Sequence, residues 1–273
     1  MSENLLEVEG LVKHFERPRN LARRLLGEPR SVVHALNGVS LSVKRGETLG
    51  LIGESGCGKS TFGRSILRLV EPDQGRLVFD GVDLTALGPS DLMHMRARLQ
   101  IIFQDPYASL NPRKSIREIV ALPLQLHEVG ASAERSARVE QMLARVGFRP
   151  DQFDLYPHQF SGGQRQRIGI ARALVSRPDL VICDEPVSAL DVSIKAQIIE
   201  LLGELKEEFG LTYIFVSHDI ATVGHLADRI AVMYMGEMVE IGDAKDIIGR
   251  PRHPYTQALL SAVPRLQPGA PGQ

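Results

Sequence analysis

A glycine-rich loop of eight residues restricts the possible folds of this chain more than any other sequence feature. The apolar run Thr48–Ile52 precedes the loop and has the composition of a buried strand. After the loop, Phe62, Ile66 and Leu69 recur at helical spacing, and Pro72 lies beyond the predicted end of the helix. The pattern therefore predicts a strand–loop–helix unit, which is typical of folds built on a parallel sheet. The loop itself reads Gly53-Glu54-Ser55-Gly56-Cys57-Gly58-Lys59-Ser60.

The spacing of the polar groups in this loop predicts that it binds phosphates. Its glycines let consecutive backbone N–H groups turn inward around anionic oxygens, Lys59 can reach the β- and γ-phosphates of a nucleotide, and Ser60 can offer its hydroxyl to Mg²⁺. The dipole of the predicted helix also favours an anion at this end. An ordinary glycine-rich turn is the alternative, but it would not require Lys59 and Ser60 in register. We call residues 53–60 the phosphate loop, and we predict that all of them and Thr61 contact the nucleotide.

Cys57 allows a further expectation about reactivity. Because it lies among phosphate-facing amides at the start of a helix, we expect its pKa to be lowered. Alkylation of the thiol would then block ATP binding, and ATP would protect it. The alternative is that Cys57 is a small residue that fills the loop.

The remaining pattern indicates a mostly parallel sheet covered by helices. Further buried strands are predicted at residues 180–183 and 212–216, separated by a helical stripe that Gly210 ends. Alternating residues near the N-terminus and around residues 235–237 predict antiparallel strands. Residues 106–178 carry mainly helix-period stripes and form a predicted helical insertion.

Composition narrows the classes of function. The 273-residue chain has a formal net charge of −1, so it lacks the overall positive field with which many proteins attract nucleic acid. Its two cysteines are too few for a disulfide framework, a four-cysteine zinc site or an iron–sulfur cluster. Neither a signal peptide nor an apolar run long enough to span a membrane is evident. The arginine-rich stretch between Phe15 and His34 fits a solvated loop, or alternatively a surface facing phospholipids.

Several polar groups follow other predicted strands. Asp184 and Glu185 end an apolar run, where Asp184 could hold Mg²⁺ and Glu185 could polarise water for attack on a γ-phosphate. The alternative is an acidic pair that offsets a helix dipole. Gln104 and His218 also follow strands; taken alone, each fits an ordinary structural role. Finally, one further predicted helix begins with a serine and two glycines, and its start fits either a capped terminus or a second anion site. The residues are Ser161, Gly162, Gly163 and Gln164.

These motifs together resemble the ATP-binding subunits of ABC transporters. In chain order, the phosphate loop, Gln104, residues 161–164, Asp184-Glu185, residues 188–191 and His218 resemble the Walker A, Q-loop, signature, Walker B, D-loop and switch-histidine motifs. The resemblance implies an α/β P-loop NTPase (RecA-like) fold with a mostly parallel sheet, an antiparallel β subdomain and an inserted α-helical subdomain. It implies ATP and Mg²⁺ as cofactors, Glu185 and His218 as catalytic residues, and Ser60, Gln104 and Asp184 as magnesium ligands.

The resemblance also implies contacts beyond one chain. ATP would be sandwiched in a head-to-tail dimer, with Ser161, Gly162, Gly163, Gln164 and Asp191 serving the ATP of the partner subunit. Phe15 matches the adenine-stacking aromatic, although a core aromatic is the alternative. Phe160 departs from the usual leucine, which we expect to change packing behind the signature and leave phosphate contact unaffected.

Two stretches narrow the resemblance to bacterial dipeptide/oligopeptide importers. Residues 100–113 and 252–264 resemble the corresponding stretches of the ATPase subunits of these importers. Two features favour the "F" type of subunit: the tyrosine at position 107 and the absence of a cysteine-bearing tail. The implied partners are a second, different ATPase subunit, two membrane permeases and, indirectly, an extracytoplasmic substrate-binding protein, with no nucleic acid. The implied location is the cytoplasmic face of the inner membrane, as a peripheral protein.

The predicted domains are an ATPase domain at 5–254, an importer-type C-terminal helix at 251–264 and a disordered tail at 265–273. The alternatives are a related importer ATPase for nickel or glutathione, or a non-transport ABC ATPase. A DNA-maintenance ATPase would carry a longer coiled coil or a zinc-binding insertion, and a translation-factor ATPase would carry two cassettes.

Overall fold

Two sheets organise the protein. The structure is a computed structural model and describes residues 3–16 and 32–262. Within those ranges the strands are β1 (Asn4–Glu16), β2 (Val32–Lys44), β3 (Thr48–Ile52), β4 (Gln74–Phe79), β5 (Val82–Asp83), β6 (Leu99–Ile102), β7 (Leu180–Asp184), β8 (Thr212–Val216), β9 (Arg229–Tyr234) and β10 (Glu237–Asp243).

The larger sheet has six strands in the order β10-β9-β3-β8-β7-β6. All neighbours pair in parallel except β10 and β9, which form an antiparallel hairpin. The parallel strands are short and buried, as strands covered on both faces must be. This arrangement confirms the mostly parallel sheet that the sequence predicts.

The smaller sheet is antiparallel, with the order β2-β1-β4-β5. Its register places Leu6 opposite Phe79 and Val8 opposite Leu41, so the alternating apolar residues share one buried face. The antiparallel β subdomain is therefore confirmed as well.

Helices cover the larger sheet. They are α1 (Lys59–Ile66), α2 (Pro89–Arg96), α3 (Pro106–Ser109), α4 (Ile116–Leu126), α5 (Ser132–Arg145), α6 (Gly162–Leu174), α7 (Val192–Phe209), α8 (Ile220–Leu226), α9 (Ala244–Gly249) and α10 (Pro254–Ser261). Helices α3 to α6 fall within residues 106–178, the range predicted as a helical insertion.

The core lies on both faces of the larger sheet because side chains alternate along each strand. On β7, Leu180 and Ile182 pack with α1 and the antiparallel sheet. Val181 and Cys183 face the opposite way and pack with residues of α4 to α8. The sheet is thus the shared layer between the β subdomain and the helices.

The first helix is shorter than predicted. Helix α1 ends at Ile66, and Arg68 adopts a left-handed backbone with φ of 48°. Leu69 consequently leaves the apolar face of the helix and is 48% exposed. The arginine-rich stretch, Val263 and the predicted tail at 265–273 lie outside the described residues.

Gly50 marks the closest approach between β3 and α8. A Cβ at this position would lie 2.2 Å from Cγ1 of Val223, a fully buried side chain. We expect Gly50→Ala to lower the free energy of unfolding by about 1–3 kcal/mol, measured by urea denaturation, because a β-branched core neighbour must shift.

Gly203 provides the matched control, since it lies inside α7 and an added Cβ would meet no atom within 4 Å. Gly203→Ala should raise the free energy of unfolding by up to about 1 kcal/mol. Equal effects of the two substitutions would contradict the close packing of α8 on β3.

Candidate functional site

Four parallel strands deliver the predicted motifs to one edge of the sheet. The phosphate loop follows β3, Gln104 follows β6, Glu185 follows β7 and His218 follows β8. Because parallel strands end at the same edge, residues far apart in sequence come together there, where ligands of open α/β sheets bind.

Backbone contacts fix the course of the phosphate loop. Gly58 has φ of 115°, and a Cβ there would lie 2.3 Å from the carbonyl oxygen of Ala35. Gly53 is equally confined, since its Cβ would lie 2.2 Å from the carbonyl oxygen of Met233. The Gly236 N–H donates to the Cys57 carbonyl at 2.9 Å. Only glycine fits the first two positions, and the hairpin of β9 and β10 supports the loop from one side.

Lys59 bonds to the loop that it belongs to. Its ammonium donates to the carbonyl oxygens of Gly53 at 2.7 Å and Glu54 at 2.8 Å. The residue is 5% exposed, so these bonds satisfy a buried charge. A triphosphate could replace the two carbonyls with charged oxygens, which are stronger acceptors.

Ser60 and Asp184 form a pair of oxygen groups beside the loop. The Ser60 hydroxyl donates to Asp184 Oδ1 at 2.8 Å, and an Arg64 nitrogen lies 3.7 Å from Asp184 Oδ2. Burial raises the pKa of the Asp184 carboxyl, while the Ser60 hydrogen bond and Arg64 lower it. A hydroxyl and a carboxylate are oxygen ligands of the kind that Mg²⁺ prefers, so this donor set fits the cation.

Glu185 is held between Gln104 and His218. One carboxylate oxygen accepts from Gln104 Nε2 at 3.0 Å, and the other lies 3.2 Å from His218 Nδ1. The Glu185 backbone has φ of 48°, a strained conformation for a residue with a side chain, and its N–H donates to the Val216 carbonyl. The structure therefore brings three predicted site residues into direct contact.

Phe15 borders the same site. A cavity of about 280 Å³ beside the phosphate loop is lined by Phe15, by Lys59 and Ser60, and by Gln104 and Glu185. The Phe15 side chain is 40% exposed, which contradicts the alternative that it is a core aromatic. An exposed ring at the rim of this cavity offers a surface on which a nucleobase can stack.

The residues that resemble the signature lie elsewhere. Ser161 and Gln164 form a capping box at the start of α6, in which each side chain accepts from the backbone of the other. None of residues 161–164 is among those that line the cavity beside the phosphate loop. Asp191 stands exposed at the N-cap of α7. One chain thus presents two separate helix starts. Helix α6 shows the capped terminus, and binding of an anion at this start stays a prediction.

Two arginines tie α6 to the segment after Gln104. Arg172 donates to the Ser109 carbonyl, and the Arg165 guanidinium lies 3.9 Å from the centre of the Tyr107 ring. Phe160, just before the helix, is 5% exposed and packs edge-on against Phe148. The helix and the Gln104 segment therefore share direct contacts.

The expected acidity of Cys57 is wrong. The residue is 9% exposed, and burial raises the pKa of its thiol above the ordinary value. The Lys59 ammonium, 3.7 Å from Sγ, acts in the opposite direction but does not outweigh burial. Proximity to a helix start cannot compensate for the loss of water around a thiolate.

Two contacts of the site were not predicted from the sequence. Arg64 approaches Asp184 from one turn along α1, a position that the helical spacing after Lys59 could have indicated. Tyr255 of α10 accepts a hydrogen bond from the Glu54 N–H at 3.0 Å, across 201 residues of sequence. No local pattern could have indicated that contact.

Known proteins are similar to this chain in sequence and fold. Residues 36–188 match the family described as ABC transporter, and residues 239–272 match the C-terminal region of oligopeptide/dipeptide transporters. The chain is 52% identical to the oligopeptide transport ATP-binding protein AppF of Bacillus subtilis, over 96% of this chain and 79% of the relative. It is 47% identical to the dipeptide transport ATP-binding protein DppF of Escherichia coli, over 98% and 79% of the two chains.

Two further relatives extend the comparison. The glutathione import ATP-binding protein GsiA of Pectobacterium atrosepticum is 50% identical over 98% of this chain but only 42% of its own length. A dimeric ATP-binding cassette in a post-hydrolysis state, bound to ADP and Pi, superposes with a TM-score of 0.76 at 30% identity, covering 88% of this chain and 98% of the other.

The burial of Cys57 leads to a prediction about the pH dependence of its alkylation. Because the pKa of Cys57 is raised, its thiolate fraction at pH 7.5 should be smaller than that of a free cysteine, and iodoacetamide labelling should be slower. The rate should rise about tenfold per pH unit until the pH reaches the pKa. Mass spectrometry of the peptide that contains Cys57, with N-acetylcysteine as the reference thiol, measures this. A labelling midpoint below that of the reference would contradict burial as the dominant effect.

Proposed function

The chain belongs to the ABC transporter family of ATP-binding proteins and is an ATPase, and we propose that it drives a bacterial importer of dipeptides or oligopeptides. The observation that carries the proposal is the pairing of the phosphate-loop site with a C-terminal region of the peptide-transporter type. The first supports binding and hydrolysis of ATP, and the second supports the class of solute.

ATP binding would use the phosphate loop and the adjacent cavity. The amides of the loop and of the first turn of α1, which includes Thr61, surround the phosphates, and Lys59 exchanges its carbonyl partners for phosphate oxygens. Phe15 stacks on the adenine at the rim of the cavity. The binding free energy is the difference between the new contacts and those that the free loop already makes.

Magnesium would be held by Ser60, Asp184 and Gln104. Ser60 and Asp184 already lie 2.8 Å apart, and the amide oxygen of Gln104 is available as a third ligand because its Nε2 makes the contact with Glu185. The bound cation would neutralise charge on the phosphate oxygens.

Hydrolysis would depend on the group of Gln104, Glu185 and His218. Glu185 acts as the general base that orients and polarises the attacking water, since its carboxylate lines the cavity beside the phosphate loop while Asp184 is bonded to Ser60. His218 and Gln104 hold the two carboxylate oxygens in the free protein. His218, with 56% of its side chain exposed, then donates to the γ-phosphate.

A dimer would complete the site. The exposed helix start at residues 161–164 and Asp191 would meet the ATP bound by a partner ATPase subunit, most simply a different chain of the same family. ATP would hold the two subunits together, and hydrolysis would release them, with free energy limited to the difference in affinity of ATP and ADP for the closed form.

Transport would require membrane partners. In the part of the chain that the structure describes, no helix has the length and hydropathy to cross a membrane. Two permease subunits would receive the movement from Gln104 and the segment after it, and a substrate-binding protein outside the membrane would deliver the solute. With these partners, the chain would lie at the cytoplasmic face of the cell membrane as a peripheral protein.

Glutathione import is a second candidate, supported by the 50% identity to GsiA. Glutathione is itself a tripeptide, so the two candidates differ in the solute alone. The ATPase chemistry and the kinds of partner subunit would be the same in both cases.

The roles of Glu185 and Lys59 can be separated by substitution. Glu185→Gln should retain MgATP binding and slow hydrolysis by roughly 10²–10⁴-fold, because an amide cannot accept the proton. Lys59→Ala should raise the Kd for MgATP more than tenfold, because it removes a charged donor. Calorimetry and phosphate release measure the two effects, and Glu207→Gln, an exposed carboxylate of α7, is the control. Wild-type hydrolysis by Glu185→Gln would remove Glu185 from its role, and undiminished affinity of Lys59→Ala would overturn the site.

The solute can be tested in proteoliposomes that hold this chain with the permeases and second ATPase encoded beside it. Labelled dipeptides and tetrapeptides, supplied with the cognate binding protein, should accumulate with ATP and fail to accumulate with Glu185→Gln. Accumulation of glutathione alone would favour the second candidate. Absence of uptake for all these solutes by an assembly that hydrolyses ATP would contradict both.

A further inference from the structure

The last helix of the described chain reaches the phosphate loop. The Glu54 N–H donates to the Tyr255 hydroxyl at 3.0 Å, and the Glu54 carbonyl accepts from the Lys59 ammonium at 2.8 Å. The same residue of the loop is therefore held on both sides, by a tyrosine of α10 and by the lysine predicted to move toward phosphates.

The turn before α10 determines where Tyr255 points. The Glu240 carboxylate on β10 accepts from the backbone N–H groups of Arg252 at 2.8 Å and His253 at 3.1 Å. His253 Nδ1 then accepts from the Tyr255 N–H at 3.2 Å and caps the helix. Two hydrogen bonds thus fix the start of the helix relative to the larger sheet, and the third orders its first turn.

Packing fixes the ring as well. The Tyr255 ring lies 4.3 Å from that of Tyr234, centre to centre, at the end of β9. Thr256 is fully buried, and Leu259 and Leu260 pack against the core. Burial also raises the pKa of Tyr255, so its hydroxyl stays protonated at neutral pH. The hydroxyl is therefore an oriented acceptor on a helix that is anchored to the core.

Two elements consequently support the phosphate loop from outside. The Gly236 N–H, just after β9, bonds to the Cys57 carbonyl, and the Tyr255 hydroxyl bonds to the Glu54 N–H. When Lys59 releases the Glu54 carbonyl to meet phosphate oxygens, two bonds continue to hold Glu54. Its carbonyl still accepts from the Cys57 N–H at 3.3 Å, and its N–H still donates to the Tyr255 hydroxyl, which is the contact from outside the loop.

We propose that Tyr255 is a positioning residue for the phosphate loop, and that the segment Pro254–Ser261 thereby sets the affinity of the loop for a nucleotide. The inference rests on the proposed nucleotide site. It assigns to the C-terminal region a role inside the ATPase site of the same chain. Tyr255 contacts the loop backbone and acts through it.

Tyr255→Phe in the full chain tests the proposal, because it keeps the ring and removes only the hydroxyl. Loss of one hydrogen bond should raise the Kd and KM for MgATP about three- to tenfold. The kcat should stay within about twofold, because the missing hydrogen bond would stabilise the bound ground state and the transition state equally. Calorimetry and steady-state hydrolysis give these values. Hydrogen exchange of the peptide that contains residues 53–60 should be faster than in the wild type.

Tyr234→Phe is the matched control, since it removes the hydroxyl of the other ring in the pair and should leave the affinity for MgATP unchanged. Glu240→Gln is a second variant that weakens the charged acceptor of the turn, and it should raise the KM in the same direction by a smaller factor.

Unchanged affinity and unchanged exchange in Tyr255→Phe would overturn the proposal, as would an equal loss in Tyr234→Phe. If Tyr255→Phe binds MgATP like the wild type while Lys59→Ala does not, the positioning role fails and the proposed function stands. If the wild type does not bind MgATP, the proposed function itself fails.

Discussion

The parallel alignment of four strands is the constraint on which the site depends. Because β3, β6, β7 and β8 run in the same direction, the residues that follow them meet at one edge of the sheet. Those residues are separated by as many as 165 positions, from Gly53 to His218. No local segment could assemble this set, so the site exists only when the whole sheet has formed. Its residues are therefore coupled to global stability as well as to chemistry.

In the free protein the groups of the site bind one another. Lys59 bonds to loop carbonyls, Ser60 to Asp184, and Glu185 to both Gln104 and His218. For the buried Lys59 and Asp184, these contacts satisfy polar groups that would otherwise lack partners, and a ligand has to replace them. Affinity is therefore a difference between two bonded states, which makes it sensitive to any contact that shapes the free loop. The Tyr255 hydrogen bond is such a contact.

The sequence was a good guide where one local pattern determines the outcome. The phosphate loop, the strands at β3, β7 and β8, and the end of α7 at Gly210 all follow from glycine placement and apolar spacing. The sequence was a poor guide where contacts between distant segments determine the conformation or the pKa of a residue. Leu69 continues the helical spacing, but the chain turns at Arg68 and leaves it exposed. The acidity of Cys57 depends on burial by other elements, and the contact of Tyr255 with Glu54 depends on the docking of a helix 201 residues away.

The contacts of α6 have a mechanical consequence. Arg172 and Arg165 bind this helix to the segment that begins at Gln104, and Ser161 forms the cap at its start. The segment after Gln104 is therefore connected by direct contacts to the helix that Ser161 caps. A displacement of that segment would act on the helix at two points, Arg165 near its start and Arg172 near its end, so it would turn the helix start that carries Ser161 as well as shift it.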